Sequence, residues 1–493
     1  MIEEHADVIV LGGGGSGLAA ASEAAKAGAK VILLEKNAKL GGSTAWAVGS
    51  VSATGTSHQR RVGITDDTPD AHFEDLGKFA GEMECFDNLA LRRILVDNAP
   101  AMFDWLQSNG LVFMGPALEL PHRHPRMHNV VPGSRAYPYH LGRLCRRLGV
   151  DIRTSTRAVA FCMENRRVAG VETIDPDGET RYFRARRAVV LTSGDFSGGH
   201  DLKRRYVSEI VSRTDPVNVT ATGDGHDMAL AIGATVLNGN LAHGPLMRFI
   251  PPTSPSWITR VPPYTIVARL ATFAMRHLPQ AVIRPILMSF VTTALSPDPG
   301  LFGAGAVLVN ARGERFTNEL DKPAAALVTQ PEGRGYIVLD GTLAKRFTAW
   351  PNFISTAPNV AHAYLADYRR NRRDVYHEAN SLPAMAKQLG MDASMLVTAL
   401  TAGDRAGRRP TPPFVVLGPV KSYVVMTEGG LKVDDRHAVI GEDGNPIAGL
   451  FAAGSAGQGG LLLYGHGHHL GWAFVSGLRA GRHAAEYPAA TSS

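Results

Sequence analysis

Cysteine is scarce in this chain: Cys85, Cys145 and Cys162 are the only three in 493 residues, at neither paired nor metal-ligand spacing. That argues against a disulfide framework and suits a reducing compartment. No Cys-x-x-Cys-His for covalent haem and no cysteine cluster for iron–sulfur occurs, so any electron relay lies on another molecule. No uninterrupted apolar run reaches the ~18 residues that a spanning helix needs. No charged start, apolar core and cleavage site precedes the apolar stretch that begins by Asp7, so no cleavable leader is expected. These absences together predict a cytoplasmic protein. The net charge of +6 is carried by scattered arginines without interleaved aromatics, which argues against nucleic-acid binding. What the chain does have is 44% hydrophobic content, enough for two or three domains with ordinary cores.

The most informative stretch is Val8-Ile-Val-Leu-Gly-Gly-Gly-Gly-Ser-Gly-Leu18, followed by Val31-Ile-Leu-Leu-Glu35. It reads as a strand, a glycine-rich turn, a helix over Ser16–Ala27 and a second strand ending in a carboxylate. Gly12, Gly14 and Gly17 occupy the three positions of a dinucleotide-binding turn. The first permits the bend, the second lets the backbone approach a pyrophosphate, and the third lets the helix pack closely on its strand. Gly15 and Ser16 open the helix, whose amides and dipole favour the pyrophosphate. Glu35 stands where it can accept hydrogen bonds from a ribose diol. A bound dinucleotide is the expectation.

The next segment, Lys36-Asn-Ala-Lys-Leu-Gly-Gly-Ser-Thr44, resembles the flavoprotein branch that includes fumarate reductase, succinate dehydrogenase and 3-ketosteroid 1-dehydrogenase. Further segments agree in order: Ala188–Asp195, Thr222–Gly225 leading to Gly233-Ala234, Ala306–Glu319, Thr427–Leu431 and Gly449–Gly454. The resemblance runs from near residue 7 to near residue 485. It implies FAD as cofactor, and noncovalent binding, because Gly41-Gly-Ser-Thr-Ala-Trp46 lacks the histidine that carries FAD in succinate dehydrogenases. It implies an α/β fold: a doubly wound Rossmann-like FAD-binding domain with an inserted α+β capping domain. Residues 1–237 and 424–493 would form the FAD domain and 238–423 the cap. The FAD contacts so implied are Gly12, Gly14, Gly15, Ser16, Gly17, Glu35, Lys36, Gly41, Gly42, Ser43, Thr44, Gly49, Ser193, Gly194, Asp224, Gly454, Ser455, His469 and Leu470. Within the FAD domain, Val159–Val171 and Arg181–Val190 read as a hairpin about a Pro-Asp-Gly turn at 176–178.

Enzymes of this superfamily create or reduce a carbon–carbon double bond beside an electron-withdrawing group, with a hydride exchanged at flavin N5 and a proton at the neighbouring carbon. Fumarate reductases place a proton-donating arginine where this chain has Phe302, and a carboxylate-binding histidine where it has Val425 and Met426. Two apolar positions in place of polar ones argue against a C4 dicarboxylate, which would lose its charge-assisted partners. The ketosteroid dehydrogenases fit in part. Tyr464 falls near their carbonyl-binding tyrosine, but Leu320-Asp-Lys-Pro-Ala324 lacks their base tyrosine. The chain's own signature is the loop Leu463-Tyr-Gly-His-Gly-His-His-Leu470. The spacing of its histidines does not match a metal site, so no metal is expected; structural bonding and proton transfer are both open to them. Tyr464 and His466 are the first catalytic candidates. Tyr139 and His140, within Arg135-Ala-Tyr-Pro-Tyr-His140, are the second. The leading expectation is an FAD-dependent dehydrogenase or ene-reductase acting next to a carbonyl in a small, mainly apolar substrate, steroid-like or acyl. The alternatives are a reductase of a small unsaturated carboxylate and a flavin-carrying electron-transfer or scaffold protein.

One part of the expected cap is unusual. Between Asp227 and Asp298 there is no acidic residue. Inside that gap, Trp257–Pro297 is strongly apolar and punctuated by Arg260, Arg269, Arg276 and Arg284. Tyr264–His277 reads as a helix, and Pro279 and Pro285 interrupt the stretch beyond it. Two readings are open: a cap helix buried on its own protein or in an oligomer interface, or a basic amphipathic element at the inner face of a membrane.

Overall fold

A computed structural model describes residues 3–252, 261–357, 361–405, 407 and 409–490. Its main sheet has eight strands, and the five that position the cofactor cleft run parallel. In sheet order these are Asp151–Arg153, Val31–Leu34, Glu3–Leu11, Thr180–Leu191 and Pro446–Ala452. Val8, Ile9, Val10 and Leu11 and all of Val31–Leu34 are buried, the continuous apolar run that a parallel strand covered on both faces requires.

The helix Gly15–Lys26 follows the first strand, and the last helix, His468–Glu486, packs on it. Their approach depends on missing side chains. A Cβ at Gly477 would sit 2.4 Å from the Ser16 carbonyl oxygen, and one at Gly481 would sit 2.2 Å from that of Ala20.

The expected hairpin is a three-strand meander: Arg157–Glu164, Arg167–Ile174 and Thr180–Leu191. Asn165 and Arg166 both have positive φ, 47° and 62°, and this left-handed pair turns the chain inside what reads as one strand. The Asp-Gly turn near 178 joins the second and third strands as expected.

A six-stranded sheet centred on Phe414–Val424 lies apart from the first. Gly335–Leu339, Leu246–Phe249 and Tyr376–Ala379 pair with that central strand antiparallel, and Asp215–Pro216 pairs with it in parallel. The hydrophobic cores divide along the same line. One joins residues from Ala6 to Ala234 with residues from Leu431 to Ala485; the others draw on Met247 to Val420. The chain leaves and returns through two short antiparallel ladders, Val236–Leu237 with Gly430–Leu431 and Ala242–His243 with Met426–Thr427. The second ladder sets His243 beside the segment that carries Glu428.

Thr265–His277 is helical, as its pattern predicts. Pro285 does not end the next helix, Gln280–Ala294, but lies within it. Among the described residues no helix is long and apolar enough to cross a membrane.

Candidate active site

The glycine turn and the segment after the second strand close on one cleft. Its walls include Gly12, Gly14, Gly15, Ser16, Glu35, Lys36, Gly42, Ser43, Thr44, Ser193, Gly194, Asp224 and Ser455. Backbone and short side chains hold it in shape. The Gly15 amide donates to Thr44 Oγ1 at 3.0 Å, the Gly41 amide to the Gly13 carbonyl at 2.9 Å, and Asn218 Nδ2 to Ser43 Oγ at 2.8 Å. Glu35 accepts from the Gly13 amide at 2.7 Å and from the Asn37 amide at 2.8 Å, so it braces the turn from the tip of its strand. Gly17 does not line the cleft; a Cβ there would lie 1.8 Å from the Gly12 carbonyl oxygen, which is the close helix–strand contact expected of the third glycine.

Three features fit this cleft to a dinucleotide. The position a Cβ would take at Gly14 is open, its nearest neighbour being the Gly41 carbonyl oxygen at 3.9 Å, and at Gly194 nothing lies within 4 Å. Ser193 Oγ is buried without a hydrogen-bond partner among the described residues, in the wall of the cleft. Lys36 Nζ reaches Thr222 Oγ1 at 2.6 Å and Asp224 Oδ2 at 3.0 Å, closing the cleft with a charged, hydrogen-bonding rim. Burial alone would raise the Asp224 carboxyl, but the Thr222 hydroxyl and the Lys36 charge outweigh it and hold the group below its usual range.

The cleft leads past Gly454, whose Cβ position would meet Ser16 Oγ at 2.6 Å, to the start of the last helix. Gly49 is anchored there by Tyr137, whose hydroxyl donates to its carbonyl at 2.8 Å; it is Tyr137, not Tyr139, that is buried. Gly467 caps the last helix with φ of 89°, and a Cβ on it would strike the Ser52 amide at 2.5 Å.

Beside this helix end lies a constellation that the sequence does not announce. Glu428 is 1% exposed, and its Oε1 accepts from His243 Nε2 at 2.5 Å and from His469 Nε2 at 3.1 Å. Its Oε2 is bonded to the Gln458 amide. The Tyr464 ring stands 5.3 Å from that of His243. Burial alone would raise the Glu428 carboxyl; the charge of His469 and hydrogen bonds from both histidines hold it well below the usual carboxylate range. A carboxylate that receives both Nε2–H groups leaves each Nδ1 without a protein partner among the described residues. Asp195, at the turn after Thr180–Leu191, is buried nearby; it accepts from the Thr427 amide at 2.9 Å, and burial pushes it up to about 6.

The other candidates fall in different surroundings. The His466 side chain is 54% exposed, and Glu119 binds both its amide and its ring, which raises the imidazole above its usual value. His468 is fully buried: its Nδ1 donates to the Tyr464 carbonyl at 2.8 Å, and its Nε2 meets that of His72 at 3.2 Å. Tyr139 and His140 lie on the helix Ala136–Arg147. His140 Nε2 donates to the Pro263 carbonyl at 2.8 Å, and the Tyr139 ring is 5.5 Å from that of Tyr264. They are thus brought to the helix Thr265–His277 rather than to Tyr464. Phe302 is 8% exposed in the core of the second sheet.

Among the described residues two groups of three side chains each hold their ligand atoms within 4.8 Å of one another. One is His72, His122 and His468; the other is His243, Glu428 and His469. In the first, Arg126 Nη1 donates to His122 Nδ1 at 2.8 Å, which leaves the proton on Nε2 and removes that atom as a ligand. In the second, both imidazoles already spend their Nε2–H on the carboxylate.

The family description "FAD binding domain" matches residues 7–256 and 289–464, most of the chain. The chain is 27% identical over 476 residues to the "NADH:fumarate oxidoreductase" of Klebsiella pneumoniae (strain 342), covering 91% of this chain and 44% of that protein, so it spans less than half of that relative's length. It is 26% identical to the "Vinyl phenol reductase" of Lactiplantibacillus plantarum (strain ATCC BAA-793 / NCIMB 8826 / WCFS1), covering 98% and 96%. Its fold matches an open flavocytochrome c3 fumarate reductase with a TM-score of 0.73 at 23% identity, covering 98% of this chain and 78% of that one. It also matches the 3-ketosteroid delta1-dehydrogenase of Sterolibacterium denitrificans with a TM-score of 0.67 at 19% identity, covering 98% and 100%. With the dinucleotide cleft in place and the match running through both halves, the chain belongs to the FAD binding domain family and is an FAD-dependent oxidoreductase.

Proposed function

We propose that this protein forms or reduces a carbon–carbon double bond next to a carbonyl in a small, mainly apolar substrate, steroid-like or acyl. When bound, FAD supplies the two-electron hydride chemistry at its N5. The observation that carries the reading is Glu428: a buried carboxylate, kept ionised, beside the end of the last helix. The carboxylate already takes the Nε2–H of both histidines, so neither has that donor left to pair a substrate carboxylate. Met426, where the resembling fumarate reductases carry a polar group, points the same way.

The protein's own groups divide the work. Glu428 fixes His243 and His469 through their Nε2 atoms and stabilises either one as an imidazolium. Their Nδ1 atoms then exchange a proton with the substrate carbon beside the one that carries the hydride. The Tyr464 hydroxyl donates to the substrate carbonyl and stabilises its enolate-like charge. His466, at the exposed rim, passes protons between solvent and this group. The electron partner lies outside these 493 residues. The three cysteines are all free, which supports a reducing compartment.

The second reading, reduction of a small unsaturated carboxylate, is favoured by the activities for which the relatives are named and by the two histidines that flank Glu428. Anaerobic absorbance of the FAD-loaded protein against 3-ketosteroids, acyl thioesters and dicarboxylates tests the choice. Bleaching by a saturated apolar ketone or thioester supports the first reading. No bleaching by these, with reoxidation of the dithionite-reduced protein by fumarate, establishes the second. A cofactor inert to all of them returns the chain to electron transfer or a scaffold.

A further inference from the structure

We propose that the helix Thr265–His277 docks the protein on an anionic lipid surface. The helix is seated the wrong way round for a soluble protein. Ala268 and Thr272, small side chains, are the ones it buries, whereas Ile266, Leu270 and Phe273 are 69%, 64% and 64% exposed. Their spacing of four and three places all three on one stripe, so the large apolar groups form a continuous outward ridge. Single exposed apolar residues are ordinary; a ridge of three on one helix marks a surface meant to be covered.

Charge selects what covers it. Arg269 and Arg276 are exposed, and seven residues of separation puts them together along one flank of the ridge. No acidic residue occurs between Asp227 and Asp298, and among the described residues no acid pairs with either arginine. Arg284 on the following helix, by contrast, is held by Asp367 at 2.5 and 2.7 Å. A second copy of this chain meeting the same ridge about a two-fold axis would bring these arginines to the same interface as their own likes. A bilayer with anionic headgroups answers both features: the ridge enters the acyl boundary while the guanidinium groups stay at phosphate level. The helix is also fixed to the FAD-binding half, through Thr265 Oγ1 donating to the Gly110 carbonyl at 2.8 Å, so docking would orient the body of the enzyme. This proposal stands apart from the choice of substrate and does not depend on it.

The test is co-sedimentation of the FAD-loaded protein with vesicles of phosphatidylcholine alone or mixed with phosphatidylglycerol. Binding to the mixed vesicles, weaker on phosphatidylcholine and falling with salt, is expected. The variant I266S/L270S/F273S should bind at least about tenfold more weakly, and R269Q/R276Q should lose the preference for phosphatidylglycerol. FAD content and melting temperature should be unchanged in both, since the altered side chains are exposed. Binding to neither vesicle, or equal binding by wild type and the serine variant, overturns the proposal. So does a dimer, seen by light scattering on the eluting protein, that the serine variant dissolves without any vesicle binding. Should the serine variant fail to hold FAD, the arginine variant decides alone: an unaltered preference for phosphatidylglycerol overturns the proposal.

Discussion

The nucleotide cleft and the proposed reacting end of this site are built by different means. The cleft is made by contiguous backbone: Gly12–Gly17 and Gly41–Thr44 face each other through amides, carbonyls and a threonine hydroxyl. The proposed reacting end is made by side chains from three distant places: His243 and Glu428 meet because the chain leaves and returns through one antiparallel ladder, and His469 comes to them from the last helix. Backbone sites tolerate little substitution where no Cβ fits. Side-chain sites can change chemistry while the fold stays intact.

That contrast can be broken most severely at Gly17. Gly17→Ala sets a methyl group 1.8 Å from the Gly12 carbonyl, and neither backbone can yield without opening the turn. The expected outcome is loss of FAD, read as the flavin-to-protein absorbance ratio of the purified protein. Retention of full FAD would show that the turn can yield at this contact. Glu428→Gln should do the opposite: full FAD content, with substrate-dependent bleaching slowed about 100-fold, because both histidines lose their anionic partner. Stopped-flow absorbance checks it, and an unchanged rate removes Glu428 from the chemistry.

Asp195 sharpens the comparison through pH. Its folded value of about 6 lies above the ordinary carboxylate value of 3.8, so the folded protein binds this proton more tightly than the unfolded chain. Stability from this group is therefore highest below pH 3.8, falls as pH rises towards 6, and is level above it. Asp195→Asn should flatten that fall in the denaturant midpoint measured across the window, and a parallel curve would refute the assignment. The smallest effects separate two tyrosines. Tyr464→Phe is expected to slow bleaching about tenfold through one lost hydrogen bond to the developing charge, and Tyr139→Phe by no more than about twofold. Equal losses would return Tyr139 to the reacting group.

The strength of the sequence signal follows the range of the interactions behind it. Val8–Leu11, the glycine turn and Val31–Glu35 were legible because a buried parallel strand and a phosphate-binding turn each leave a local pattern. Ser193 and Asp224 were legible as parts of motifs in their own strands and turns. Asn165 and Arg166 hid a turn inside an apparent strand, since neither is the glycine that usually marks positive φ. Glu428 left a faint mark, an acid lodged in Thr427-Glu-Gly-Gly-Leu431. His243 left none, because its partner lies 185 residues away.

By itself, then, the amino-acid order determined the strand–turn–helix that binds a dinucleotide, the glycines it needs and the acid-free stretch between Asp227 and Asp298. Those depend on steric and electrostatic rules that act within a few residues. Only the tertiary structure decided that His243 and His469 share the Glu428 carboxylate, that Tyr139 faces Tyr264, and that Ile266, Leu270 and Phe273 point outward. Hydrophobic periodicity shows that a helix has two faces; which of them is covered depends on the surface the rest of the chain presents to it.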